Sequence, residues 1–187
     1  MSLLAFGVLL FVALHGVAAV PALKARVRQR VGERMYGPLF GIASVIALGV
    51  IVAGWKAAPF IPVYEPPVWG WYVNYGLTFI GFLFLGIFLF RGSLRQRVRF
   101  PMAIATLFWA AGHCFANGDV ASLILFGGLL AGSVAHVGVA RANGIYPSAE
   151  VRLGHDGLSL IFGAALYGIM TQVHPALIGV PIFVLSR

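Results

Sequence analysis

The side chains best suited to chemistry in this chain are its five histidines, and four of them stand within long apolar stretches: His15, His113, His136 and His174. The fifth, His155, lies beside Asp156 in a more polar segment and has an ordinary solvated explanation. An ionisable group inside an apolar span is costly to hold there and marks either a satisfied hydrogen bond or a task. Neutral imidazole suits both, because it bonds to a neighbouring helix and is also a good ligand for haem iron, which a helix bundle can hold between facing histidines. Trp109 stands four residues before His113 and so shares its helix face. With Phe108, Phe115 and Phe126 it would line a flat apolar pocket, although aromatic residues in such helices also serve as plain packing. Asn117-Gly118-Asp119 is a tight turn just beyond His113. Asp119 reads as the cap of the next helix, or as a carboxylate at the pocket mouth that orients His113 or a proton.

Other chemistries lack their residues. The single cysteine, Cys114, excludes an intrachain disulfide and a Cys-x-x-Cys metal knuckle, and it points about 100° away from His113 on a helix. It reads as a small buried hydrophobe. A phosphate-binding glycine loop, a serine nucleophile elbow and a His-Glu-x-x-His zinc motif are all missing. So is the Cys-x-x-Cys-His attachment, and any haem would be non-covalent. Five acidic residues are too few to build a carboxylate proton relay.

The elements that must position the histidines follow from composition. Of the 187 residues 60% are apolar and only 10% charged, and the mean hydropathy is +0.95. A soluble domain carries roughly a quarter charged residues, so this chain cannot cover itself with a polar surface. It reads as one all-α transmembrane domain over residues 1–187, a bundle of about six spans embedded in a lipid bilayer. The expected spans are 1–23, 35–55, 68–90, 101–116, 120–140 and a last one from about Leu158. No Lys or Arg precedes the first apolar run, so it reads as a span rather than a secretory signal. Pro59, Pro62, Pro66 and Pro67 forbid a helix between the second and third spans, and His174-Pro175 should disturb the sixth. The tail from Ala176 to Ser186 would continue that helix or lie along the interface. Gly37 with Gly41, and Gly128 with Gly132, have the spacing that lets helices approach closely.

The net charge of +8 sits between the apolar runs, which argues against nucleic acid as a partner. All Lys and Arg except Lys56 and Arg187 fall in loops on one side of a six-span bundle. The positive-inside bias puts those loops in the cytoplasm and both termini outside. Depth then constrains any metal pair. At about 1.5 Å per residue, His15 lies roughly 12 Å from the cytoplasmic edge and His113 roughly 20 Å above it. His136 is low, like His15, and His174 high, like His113. On depth alone the pairs are His15 with His136 or His113 with His174; His15 with His113 needs a tilted plane or a recessed helix.

Several segments resemble the NnrU family across nearly the whole length. They are Leu14-His15-Gly16, Gly32-Glu33-Arg34-Met35-Tyr36, Gly54-Trp55, Phe100-Pro101-Met102, then Trp109 with His113. Asn117 to Leu123, Leu125-Phe126-Gly127, His174-Pro175 and Leu177 to Val180 complete the set. The resemblance implies a multi-pass protein of the bacterial inner membrane, linked to denitrification and to nitrite and nitric oxide reductase activity. The family is similar to the zeta-carotene isomerase Z-ISO of plants and cyanobacteria, a membrane enzyme with haem b. That similarity implies haem b here with His15 and His113 as its iron ligands, and Trp109, Asn117 and Asp119 around it. The isomerase carries a cysteine directly after its Trp as an alternative ligand, whereas this chain has Ala110 there. Nitric oxide or an apolar small molecule would then be the ligand. Two other functions fit the same residues: haem-dependent cis-trans isomerisation of a carotenoid-like polyene, and a non-enzymatic membrane assembly factor whose histidines only satisfy hydrogen bonds.

Overall fold

The computed structural model describes residues 1–145, 150–179 and 182. Among them the chain is helical throughout its apolar runs: α1 (Ser2–Ala19), α2 (Pro21–Val31), α3 (Glu33–Ala57), α4 (Val68–Leu89), α5 (Ser93–Val98), α6 (Pro101–Ala116), α7 (Val120–Ala142) and α8 (His155–Ile178). Five of these, α1, α3, α4, α7 and α8, are long and apolar enough to cross a bilayer, and α6 is a shorter apolar helix. The bundle is all-α and polytopic, as the hydropathy pattern requires.

Local chemistry sets the ends. Pro21 and Pro101 occupy the first turns of α2 and α6, where a missing N–H costs nothing. Gly32, at φ +86°, turns the chain between α2 and α3 in a conformation that disfavours any side chain. Three features depart from the sequence expectation. The basic segment after α1 is a helix, not a loop, because Pro21 starts it and Leu23, Val27 and Val31 recur at helical spacing. The last helix starts at His155 and runs through Pro175 to Ile178, where Gly179 ends it in the left-handed conformation. Pro175 removes only the bond to the Thr171 carbonyl, one turn from the end, so it ends up inside the helix instead of breaking it. Most of the tail lies outside the described residues. Finally, Leu123–Gly127 inside α7 is π-helical, which re-aims Phe126.

The main packing runs in the spatial order α3, α1, α7, α6, α4, α8. Glycines make these contacts. A Cβ on Gly54 would strike the Leu4 backbone, one on Gly128 or Gly132 would meet Val8 or Val12, and one on Gly81 would stand 2.9 Å from the Ala105 carbonyl oxygen. Gly86 and Gly163 do the same between α4 and α8, against Ser159 and Phe82. Gly37 and Gly41, by contrast, face open space, so their spacing carries no helix contact. Where lipid is as apolar as the side chains, such close backbone approach is what holds helices together. One core joins Leu4 and Val8 of α1, Ile51 of α3, Ala110 of α6, and Leu125, Phe126 and Leu129 of α7.

Candidate functional site

The site builds up from Phe126. The π-helical turn places this ring, 5% exposed, at the meeting point of three helices. It stacks on His113 with centroids 4.5 Å apart, meets Trp109 edge-on at 5.1 Å, and meets Trp55 of α3 at 5.9 Å. Trp109 itself lies 4.9 Å from His113. His113 is thus walled by Trp109, with which it shares a helix face, and by Phe126 of α7. The part played by Trp55 was hidden in the sequence, since only a close pass of α3 and the π-helical turn bring it there.

The hydrogen bonds of the imidazoles define their chemistry. His113 Nδ1 lies 2.8 Å from the Trp109 carbonyl oxygen, and His15 Nδ1 lies 2.9 Å from that of Phe11. His136 Nδ1 reaches across to the His15 carbonyl at 3.1 Å. A carbonyl can only accept, so each Nδ1 carries the proton. In the neutral ring Nε2 is then a bare lone pair, the tautomer that backbone bonds impose on metal-ligating histidines. No other hydrogen-bond partner engages these three rings among the described residues. His174 bears electrostatically on His113, and His136 on His15. Among the described residues no contact joins His15 to His113, and α7 packs against both α1 and α6.

His15 belongs to a second aromatic group at the basic end. Its ring stacks on Phe11 at 4.2 Å and meets Phe40 edge-on at 5.2 Å, and Phe40 stacks on Tyr36. The Arg28 guanidinium covers Tyr36 at 5.4 Å and pairs with Glu33 at 3.2 Å. The segment from Gly32 to Tyr36 therefore closes over the flank of His15 at the basic end.

Asn117 and Asp119 hold the turn above His113. The Asn117 amide donates to the His113 carbonyl at 2.9 Å. Asp119 accepts the Ser122 N–H at 3.0 Å and the Ser122 hydroxyl, which caps α7. A proline strap, residues 58–67, crosses this turn and pairs with it: Val63 and Tyr64 N–H donate to the Gly118 carbonyl at 2.7 and 3.0 Å, and Val120 N–H donates to Ile61 at 2.9 Å. The Tyr64 hydroxyl donates to the Asn117 carbonyl at 2.8 Å and to that of Cys114. Desolvation, then the neighbouring Cys114 and Asp119, push the Tyr64 phenol above its ordinary range, so it stays a donor. The prolines exclude a helix from this strap, but nothing local in the sequence names its partner.

Among the described residues no three His, Cys, Asp or Glu side chains converge as a metal cage. The histidines could give a metal one or two nitrogens, and its other bonds would come from elsewhere.

The protein-family comparison matches a model described as NnrU protein over residues 3–182. No curated protein and no solved structure matches the chain.

Proposed function

The chain belongs to the NnrU family, and from that premise we propose that it is a haem-b protein of the bacterial inner membrane that serves nitrite or nitric oxide metabolism. The observation that carries this reading is the bond from His113 Nδ1 to the Trp109 carbonyl, which leaves Nε2 as a bare, orientated ligand inside aromatic walls. His15 offers the same tautomer and is the partner that the resemblance to the isomerase implies. His174, which bears electrostatically on His113, is the other candidate for a second ligand.

Haem bound here would supply a one-electron iron centre able to bind nitric oxide. The chain's own residues do the rest. The Trp109 carbonyl fixes the His113 ring, Phe126 and Trp109 exclude water, and Asn117 with the strap holds the last turn of α6 in register.

The visible spectrum of purified protein supplied with haem tests this. An intense Soret band is expected, abolished in His113→Ala and unchanged in His155→Ala. Loss in His174→Ala but not His15→Ala assigns the second ligand to α8; the reverse assigns it to α1. Colourless protein, or a band indifferent to His113, overturns the reading.

A further inference from the structure

His155 is hydrogen-bonded in the opposite sense to the histidines of the apolar spans. In His15, His113 and His136 a carbonyl faces Nδ1, so a proton added at Nε2 leaves that bond in place. At His155 the partner is the Arg91 N–H, which donates to Nδ1 at 3.2 Å. An N–H can only donate, so Nδ1 is the bare lone pair here and the neutral ring carries its proton on Nε2. A proton added to this ring must fill Nδ1, and two donors would then face each other.

The bond belongs to a clasp at the basic end of the bundle, where the turn between α4 and α5 meets the start of α8. The Arg152 N–H donates to the Arg91 carbonyl at 2.8 Å, the Leu94 N–H donates to Asp156 Oδ1 at 2.9 Å, and the Ser93 hydroxyl donates to Asp156 Oδ2. The fit is close, since a Cβ on Gly92 would overlap the Asp156 carboxylate. The Phe90 ring meets His155 edge-on at 5.7 Å and Phe162 at 5.5 Å. α8 is the last helix of the row and packs on α4 and, at its start, on α5, so the clasp fixes one end of an edge helix. The charged groups of the clasp are Asp156 beside the ring, Arg91 and Arg152 in the bonded segments, and Arg97 of α5, which acts on Asp156; Arg95 of α5 lies over Phe88. Cations outnumber the one carboxylate there, and the first turn of a helix disfavours added positive charge.

We propose that His155 is a proton-sensitive latch. With its ring neutral it holds the α4–α5 turn against α8; a proton on Nδ1 breaks the Arg91 bond and loosens the turn, with the Asp156 bonds left as the hinge. The latch therefore closes as pH rises and opens as pH falls. It shares no residue with the His113 site and needs no bound group.

Hydrogen exchange of the full-length protein in nanodiscs, corrected for the intrinsic rate, tests this at about pH 8 and about pH 5.5, across the range in which histidine changes charge. Amides of residues 91–98 should lose roughly fivefold in protection at the lower pH, as one net hydrogen bond would give, while those of α7 hold. His155→Asn places a non-titrating Oδ1 where Nδ1 stood and should keep the higher protection at both pH values. His155→Ala should be loose at both. Nitrogen-15 spectra of histidine-labelled protein, with His155→Asn identifying the signal, should put the ring proton on Nε2 at the higher pH. A wild type without the pH step, the same step in His155→Asn, a His155→Ala protein as protected as wild type at the higher pH, or a neutral ring protonated at Nδ1 overturns the proposal.

Discussion

Replacing Gly118 by alanine isolates what the proline strap contributes. The backbone at Gly118 has an ordinary negative φ, so alanine brings no conformational strain there. The obstacle is steric: its Cβ would overlap the Tyr64 carbonyl oxygen and stand 3.2 Å from Pro66 Cδ. The strap cannot slide aside and keep its pairing, because Val63 and Tyr64 both donate to Gly118 while Val120 donates back to Ile61. Three backbone hydrogen bonds at about 1 kcal/mol each make the expected loss about 3 kcal/mol. At roughly 2–4 °C per kcal/mol for a chain of this length, the midpoint should fall by roughly 6–12 °C. The assay is thermal unfolding in detergent, followed by maleimide labelling of Cys114, the single thiol, which sits half-buried beneath the Tyr64 hydroxyl. Gly76→Ala is the matched control. It lies in α4 with nothing within 4 Å of the new methyl and should gain about 0.5–1 kcal/mol from the helix preference of alanine. A Gly118→Ala protein that melts with the wild type and labels no faster would refute the argument, since the strap would then be a passive covering.

Two further outcomes follow from the packing and the charge distribution. Gly163→Leu should pry α8 from α4 at a cost of about 1–3 kcal/mol, because its Cβ already stands 2.9 Å from Leu83 Cα; faster hydrogen exchange across α8 alone, with Tyr167 freed from Phe79 and Phe82, would be the readout. In a Cys114→Ala background, an impermeant maleimide added to intact spheroplasts should label Glu65→Cys in the strap and spare Gln29→Cys in α2, since the basic loops belong inside; the opposite pattern would invert the topology.

The spans were legible because an uncharged apolar run long enough to cross a bilayer has few other fates. Both ends of α6 and the start of α4 coincide with the sequence reading, where Pro67 and Pro101 mark the boundaries. Of the pairs that depth allowed, His15 and His136 are brought together through the His15 carbonyl. What stayed hidden is non-local. The π-helical turn at Leu123–Gly127 has no propensity signature, yet it brings Phe126 onto His113. The strap announces itself by its prolines, but its pairing with Gly118 joins segments far apart in the chain. α2 was legible in principle from Leu23, Val27 and Val31. Its four cations masked that spacing.

The strap also constrains how the polypeptide is made. Residues 58–67 leave the ribosome well before residues 118–120, so their donors have no partner while α4 and α6 are still being threaded. Unpaired amides cannot enter hydrocarbon, which keeps the strap in water until the later turn arrives. Docking is therefore a late event in biogenesis. Nascent chains stalled before Asp119 should remain cleavable at the strap, and chains stalled after Leu123 should not.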